Sequence, residues 1–153
     1  MPRVVEPSTL HLDAAAPADL ARVRAFVRRH AERAGLRGDA LDDLVQAVDE
    51  MATNVLVHGY HKEPGPLTVV VEVGPGQLVV RIRDQAPLFD PGEWERPDGA
   101  ADWLHRRPGG FGIPLARGCV DDIYHRPRTD HAAAGGNELT LLKRTTGMDA
   151  DPA

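Results

Sequence analysis

The stretch that decides the fold is residues 41–60, LDDLVQAVDEMATNVLVHGY. Its apolar residues recur every three or four positions, which is the pattern of an amphipathic helix with one buried face. At about 100° per residue, Glu50 and Asn54 lie only ~40° apart on the opposite face. The apolar stripe consists of Leu41, Leu44, Val45, Val48, Met51, Ala52, Val55 and Leu56.

Glu50 and Asn54 carry groups that can act together on one ligand. A carboxylate can accept a proton, and a carboxamide oxygen can bind a hard cation such as Mg²⁺, which takes oxygen ligands at ~2.1 Å. The same pattern is also that of a polar face that is only solvated. The helix by itself leaves both interpretations open.

The ends of this helix and of an earlier one are marked by turn-forming residues. Pro17 suits the first turn of the earlier helix, and Gly35 suits its end. For the helix over 41–60 we predict Asp39 as the N-cap and Gly59 as a left-handed C-terminal cap.

Length and composition indicate one folded domain. The chain has 153 residues, of which 42% are hydrophobic and 27% are charged. These values are typical of a globular protein with a substantial core. We expect a single domain over residues 1–153, with its core at about 13–144 and a flexible tail at 145–153.

Charge and cysteine content exclude several classes of protein. The net charge of −5 argues against a nucleic-acid-binding protein, which should carry a basic face. Cys119 is the only cysteine, which favours a reducing, cytoplasmic location over a disulfide framework. No apolar run approaches the ~20 residues of a membrane span, so we expect no membrane partner.

Alternating apolar residues predict the strands of a sheet. The predicted strands are residues 3–12 at an edge, 67–73 and 78–83 as a hairpin, 121–125, and 138–144. Asp84 shares the parity of Leu78, Val80 and Ile82, which places an acidic residue on the face that should be buried. It is either a satisfied structural aspartate that caps the next loop or an acceptor for an exocyclic amine such as that of adenine.

A long loop and a glycine cluster follow the hairpin. Residues 85–109 form a loop of a length that is usually functional or disordered. Gly109-Gly110-Phe111-Gly112 then opens a segment with helical spacing. Free N–H groups at a glycine-rich helix start favour phosphate binding.

These pieces, in their order, resemble a known ATP-binding domain. It is the domain shared by gyrase, the heat-shock chaperone of that class, histidine kinases and DNA mismatch-repair ATPases. The last strand GNELTLLK belongs to this ordered set. Within the group, AVDEMATNVLVHGY, DQAPLFDP and GGFGIPLARGCVDDIYH are most similar to the bacterial anti-sigma-factor serine/threonine kinases. The resemblance covers nearly the whole chain, from about residue 13 to 144.

The resemblance implies an α+β fold, a two-layer α/β sandwich with a mixed, mostly antiparallel sheet and helices on one face. ATP would lie between helices and sheet under a mobile lid, residues 85–109. By the same resemblance, Glu50 is the general base, Asn54 the Mg²⁺ ligand and Asp84 the residue that reads the adenine amine. The other implied cofactor-binding residues are Ala86, Arg106, Arg107, Gly110, Phe111, Gly112 and Asn137, with Arg117 at a common basic position.

Two positions depart from the family pattern. Ala86 stands where the adenine motif usually has glycine, and its methyl group is expected to narrow the pocket or restrict φ. The last-strand threonine seen in some relatives has no direct match, and Asn137 is taken as its substitute.

The resemblance also implies a function. The protein would bind a sigma factor and would phosphorylate a serine or threonine of an anti-sigma-factor antagonist, with Mg²⁺ and ATP as cofactors and a homodimer as its assembly. An alternative, favoured by Ala86, is a catalytically weak or inactive module that regulates by binding a partner. A third interpretation is a small α/β domain in which Glu50 and Asn54 face solvent without a function.

Overall fold

A sheet forms one layer of the part of the chain that the computed structural model describes, residues 6–87, 116, 118–128 and 136–145. Its strands are β1 (Ser8–Ala15), β2 (Gly65–Gly74), β3 (Gln77–Asp84), β4 (Asp122–Pro127) and β5 (Asn137–Arg144). They lie side by side in the order β1-β2-β3-β5-β4. Every neighbouring pair of strands within these ranges is antiparallel. The resemblance implied a mixed sheet that is mostly antiparallel.

Alternate residues of the central strands fill the core. Leu78, Val80 and Ile82 of β3 are fully buried, as their spacing predicts. Each such side chain stabilises the fold by about 1.5–3 kcal/mol through loss of apolar surface to water. Asp84 follows the same parity, so the end of β3 carries a carboxylate to the core face. The neighbouring strands add Leu67, Val69, Val71, Leu139 and Leu141 to this face.

Two α-helices cover this face of the sheet. Helix α1 (Leu20–Arg33) follows a short 3₁₀ turn at Pro17–Asp19, and helix α2 is Gly38–Thr53. Their buried residues belong to the same core cluster as the inward residues of the sheet. The predicted two-layer α/β sandwich of the α+β class is therefore confirmed. Neither of these two described helices has the length and apolar character needed to cross a membrane.

The helix starts and stops agree only partly with prediction. Gly35 ends α1 as predicted, with φ of +100° and its N–H donated to the Glu32 carbonyl at 2.9 Å. The predicted N-cap at Asp39 is wrong, because Arg37 holds the N-cap position. Gly38, at φ of +59°, turns the chain into the helix before Asp39 is reached. Asp39 lies in the first turn, where its negative charge interacts favourably with the positive end of the helix dipole.

The predicted helix over 41–60 changes character near its end. The turn Asn54–Gly59 is π-helical, a geometry that often marks functional sites. The left-handed residues after it are His61 (φ 52°) and Lys62 (φ 69°). The prediction that Gly59 is a left-handed cap is therefore wrong, and the reason for a glycine there is a tertiary contact described below.

The boundaries of the outer segments also shift. The edge strand predicted at residues 3–12 runs from Ser8 to Ala15, because Pro7 cannot donate to the ladder. Residues 3–5 lie outside the described residues. Of the predicted tail, Thr145 is described, and its N–H donates to the Gly76 carbonyl at 2.9 Å.

The face of the sheet opposite the helices carries a buried acid between two arginines. Glu138, on β5, is 7% exposed. It accepts hydrogen bonds from Arg83 Nε and Arg126 Nη2, both at 2.7 Å. Burial opposes ionisation of Glu138, but the hydrogen bonds and charges of Arg83 and Arg126 hold its pKa below the ordinary value.

Substitution of Glu138 by glutamine should destabilise the fold in a pH-dependent way. The lowered pKa means that the contribution of Glu138 is present above its unfolded value of 4.5 and is lost as pH falls through the folded pKa. We expect E138Q to lower the free energy of unfolding by about 1–2 kcal/mol at pH 7, since the exposed arginines are partly screened. The difference from wild type should shrink toward pH 3 in urea titrations.

Glu72→Gln is the matched control for this prediction. Glu72 pairs with Arg81 on the same face at 2.6 Å but is 39% exposed. A pair of this kind contributes little, so E72Q should change stability by less than about 1 kcal/mol. A loss in E138Q that is as large at pH 3 as at pH 7 would show that the ion pairs are not its cause.

Candidate functional site

The two carboxylate oxygens of Asp84 have different surroundings at the end of β3. The side chain is buried, at 1% exposure. Oδ1 accepts hydrogen bonds from the Ala86 N–H at 2.8 Å and from Asn137 Nδ2 at 3.0 Å. Oδ2 is buried and has no hydrogen-bond partner among the described residues. One oxygen is therefore held in place, and the other is left as an unused acceptor.

Burial raises the pKa of Asp84 above its ordinary value, because the charged form loses water. The hydrogen bonds from Asn137 and Ala86 and the charge of Arg128 oppose this rise without cancelling it. A buried acceptor without a partner costs about 1–3 kcal/mol. A ligand that donates an N–H to Oδ2 would remove that cost. Oδ1 thus caps the backbone of the segment that follows β3, and Oδ2 can accept a hydrogen bond from a ligand.

The loop before β5 closes around the backbone of Asp84. Gly136 has φ of +122°, and a Cβ there would lie 2.5 Å from the Asp84 carbonyl oxygen. Arg128 Nη1 donates to that same oxygen at 3.2 Å, and the Arg128 N–H donates to the Gly136 carbonyl at 3.0 Å. Neither residue was predicted from sequence. The glycine pair before Asn137 was a visible signal for Gly136, whereas nothing in the sequence marks Arg128.

Glu50 and Asn54 lie one helical turn apart, as predicted, where α2 passes into the π-helical turn. Glu50 is half-buried, and its Oε1 accepts a hydrogen bond from Gln46 Nε2 at 2.8 Å. Asn54 has a buried amide nitrogen with no hydrogen-bond partner among the described residues. Buried polar atoms are rarely left unpaired unless a ligand or water uses them. Asn54 and Asp84 are thus both side chains with an unsatisfied buried atom.

The end of this helix touches the end of β3, which brings the two elements together. The Tyr60 hydroxyl accepts the Gln85 N–H and donates to the Pro66 carbonyl, both at 2.7 Å. Burial raises the pKa of Tyr60, so its hydroxyl keeps the proton that it donates. Tyr60 was not predicted, and it ties the helix to the segment that follows Asp84.

Ala86 is packed against the helix through its methyl group. A Cβ built on Gly59 would lie 2.9 Å from the Ala86 Cβ, closer than two such atoms approach. Gly59 is therefore a glycine because Ala86 occupies the space that its side chain would need. Ala86 is 2% exposed. Its carbonyl accepts from Asn137 Nδ2 at 3.4 Å, so the residue belongs to the same cluster as Asp84.

The far end of the glycine-led segment is described and packs on the hydrophobic core. Ala116, Gly118 and Cys119 are helical, and Ala116 is fully buried in the core. Lys143 Nζ donates to the Cys119 carbonyl at 2.8 Å, which satisfies an acceptor near the end of that helix. Burial raises the pKa of Cys119, and the charges of Asp43 and Glu50 add to the rise.

Several predicted site residues lie outside the described residues. They are Arg106 and Arg107 of the predicted lid, Gly110, Phe111 and Gly112 of the predicted phosphate loop, and Arg117. Their assignments stay predictions. Asp84, Ala86 and Asn137 are brought together by direct hydrogen bonds, and Glu50 and Asn54 lie on the helix whose end contacts this cluster.

The described residues contain no group of three or more His, Cys, Asp or Glu side chains that could hold a metal ion. A Mg²⁺ ion bound mainly by phosphate oxygens and water needs only one or two protein ligands. The unpartnered buried atom of Asn54 is its amide nitrogen, which is a donor and not a metal ligand, so the assignment of Asn54 as the Mg²⁺ ligand stays a prediction.

The chain is similar in sequence to known proteins over most of its length. Residues 14–143 match the family described as Histidine kinase-like ATPase domain. Serine-protein kinase RsbW of Bacillus cereus is 28% identical over 108 residues, 68% of this chain and 68% of that protein. RsbW of Bacillus thuringiensis is 27% identical over 108 residues, with the same coverage of 68% of each chain. RsbW of Listeria innocua is 33% identical over 98 residues, 61% of this chain and 62% of that protein.

Asp84→Asn should leave the fold intact and change its pH dependence. A raised pKa means that the folded state binds more protons than the unfolded state, so Asp84 lowers stability as pH rises above 3.8 and through the folded pKa. The amide oxygen of asparagine can still accept from Ala86 and Asn137. We expect D84N to equal wild type near pH 3 and to be as stable or more stable at pH 7, measured by urea unfolding.

Glu63→Gln, at an exposed turn residue, is the control and should change the free energy of unfolding by less than about 0.5 kcal/mol at either pH. A D84N variant that is less stable than wild type by more than about 1 kcal/mol at both pH values would contradict the account of Asp84 as a desolvated charge.

The contact between Gly59 and Ala86 predicts a coupled pair of substitutions. Gly59→Ala alone should destabilise the protein by about 1–3 kcal/mol, because the new methyl group overlaps that of Ala86. Adding Ala86→Gly should restore most of that loss, which corresponds to a coupling of about 1–2 kcal/mol in a double-mutant cycle. Thermal or urea unfolding of the four proteins measures it.

Gly118→Ala provides the matched control, because Gly118 is helical and a Cβ there meets nothing within 4 Å. It should be neutral or stabilising by up to about 1 kcal/mol. Strictly additive effects of G59A and A86G would mean that the two residues do not share the contact.

Proposed function

The chain belongs to the family of histidine kinase-like ATPase domains, and we propose that it is an ATP-dependent protein serine/threonine kinase that also acts as an anti-sigma factor. The relatives named serine-protein kinase support the kinase activity. In this proposal the protein binds a sigma factor and phosphorylates a serine or threonine of an anti-sigma-factor antagonist. A homodimer and a cytoplasmic location, the latter favoured by the single free Cys119, complete the proposal.

The observation that carries the proposal is the unpartnered Oδ2 of Asp84. The exocyclic amine of adenine donates hydrogen bonds, whereas guanine has a carbonyl oxygen at that ring position. A buried acceptor therefore favours ATP over GTP, because the carbonyl would leave two acceptors facing each other. The bonds from Ala86 and Asn137 to Oδ1 hold the carboxylate ready for this contact.

Asn54 would supply the protein ligand to Mg²⁺ through its amide oxygen. Bound Mg·ATP supplies the phosphoryl group and a metal ion that offsets negative charge during its transfer. Gly110, Phe111 and Gly112 would offer backbone N–H groups to the phosphates at a helix start. Arg106 and Arg107 would bring positive charge to the phosphates from the lid.

Glu50 would act as the general base. The substrate hydroxyl oxygen attacks the terminal phosphorus, ADP leaves, and the hydroxyl proton passes to the Glu50 carboxylate. The hydrogen bond from Gln46 to Oε1 holds this carboxylate at a defined orientation. Because phosphoryl transfer depends mainly on positioning and charge, few further protein groups are needed.

The alternative of a weak or inactive binding module depended on Ala86. In the structure its methyl group packs against Gly59 on the helix. Its backbone N–H and carbonyl take part in the cluster around Asp84 and Asn137. This arrangement weighs against the alternative, because the methyl group of Ala86 is accommodated by packing against Gly59.

Glu50→Gln should separate binding from transfer. We expect E50Q to bind Mg·ATP within about threefold of wild type by calorimetry, since the side chain keeps its shape. Transfer of labelled phosphate to a candidate antagonist should fall by about 10²–10⁴-fold, because the base is lost. Asp84→Asn should instead abolish ATP binding, because it puts an N–H donor where the adenine amine must donate.

Glu63→Gln, at an exposed turn residue, is the matched control and should retain both activities. Phosphate transfer at the wild-type rate in E50Q would exclude Glu50 as the base. Wild-type protein that binds no nucleotide at millimolar concentration would favour the partner-binding module.

A further inference from the structure

His125 lies on β4, one strand beyond the Asp84 cluster, and contacts it through Asn137. Its Nε2 is 2.7 Å from Asn137 Oδ1. His125 is half-buried, and Asn137 is fully buried. Nothing in the sequence pattern or in the resemblance assigns a role to His125.

The surroundings of Asn137 decide which amide atom faces which neighbour. Its Nδ2 lies 3.0 Å from Asp84 Oδ1, 3.4 Å from the Ala86 carbonyl and 3.3 Å from the Pro87 carbonyl. All three neighbours are acceptors, so the amide group on that side must be the NH₂ donor. The opposite atom is therefore the carbonyl oxygen, and His125 Nε2 must carry the hydrogen that it accepts.

An asparagine amide can turn over, and here the two orientations have opposite effects. With its NH₂ toward Asp84 it holds Oδ1 and leaves Oδ2 for a ligand. Turned over, it would direct its oxygen at the carboxylate and at two carbonyls, which is repulsive. The donor on His125 stabilises the first orientation only.

We propose that His125 is a positioning residue for nucleotide recognition: by fixing the Asn137 amide, it holds Asp84 so that Oδ2 faces the adenine amine. The inference rests on the proposed function, in that the ligand is taken to be ATP. It also accounts for the contact between His125 and Asn137 in this chain. Asn137 brings a buried carbonyl oxygen that needs a donor, and His125 provides it.

Two ligands that differ only in the 6-amino group test this role, ATP and purine riboside triphosphate. Calorimetry gives Kd for each with Mg²⁺ present. We expect His125→Leu to weaken ATP binding by about 3- to 10-fold, the effect of losing one hydrogen bond. The same variant should change the affinity for purine riboside triphosphate by less than about twofold, because that ligand does not use Oδ2.

Two further variants distinguish positioning from general support. His125→Gln keeps an N–H donor close to the position of Nε2 and should restore the wild-type preference for ATP. Asn137→Thr removes the oxygen that needs His125, so adding H125L in that background should change ATP affinity by less than about twofold. Tyr124→Phe, at a neighbouring exposed residue of β4, is the matched control and should alter neither Kd.

The outcomes separate this inference from the proposed function. If H125L weakens both ligands equally, or H125Q behaves like H125L, His125 is only structural and the inference is overturned. If H125L does not fold, H125Q decides the matter, since it keeps a donor for the Asn137 carbonyl oxygen, and the N137T pair gives an independent measure. Wild-type protein that binds neither ligand would overturn the proposed function and the inference together, whereas binding without phosphate transfer would leave the inference standing.

Discussion

The site depends on the burial of one carboxylate with only one of its oxygens satisfied. Asp84 is carried to the core face by the two-residue period of β3, the same period that buries Leu78, Val80 and Ile82. Burial raises the pKa of Asp84, and the hydrogen bonds to Oδ1 only partly offset this. A fold that buries Asp84 in this way is less stable than it could be, but it keeps Oδ2 as a hydrogen-bond acceptor, and such a loss of stability is common at binding sites.

The neighbouring elements hold that carboxylate through close contacts that leave little free space. Gly136 has no side chain because the Asp84 carbonyl oxygen fills the place of its Cβ, and Gly59 has none because of the Ala86 methyl group. Tyr60, which follows the helix, bonds through its hydroxyl to the backbone at the start of β2 and just after β3. The helix with Glu50 and Asn54 and the strand with Asp84 are thus joined directly, and the site lies at their junction.

Prediction from the sequence was accurate where one local period governs the chain. The helical stripe from Leu41 to Leu56 and the alternation in the hairpin lead to the observed layers, since the same residues are buried in the structure. Prediction failed at single residues with two competing roles. Asp39 is an ordinary N-cap by type, yet Gly38 starts the helix first. Gly59 is an ordinary left-handed cap by type, yet it serves a contact with a residue far along the chain.

The sequence by itself determined the helical turn shared by Glu50 and Asn54 and the acidic residue at the end of β3, because each follows from spacing between near neighbours. It indicated the class of fold through the resemblance that its ordered motifs carry. Only the tertiary structure decided which oxygen of Asp84 stays unused and which amide atom of Asn137 faces it. These choices depend on donors and acceptors from β4, β5 and the intervening backbone, which converge only when the sheet is assembled. Hydrogen bonds act over about 3 Å, whereas periodicity in a sequence describes only the element in which a residue lies.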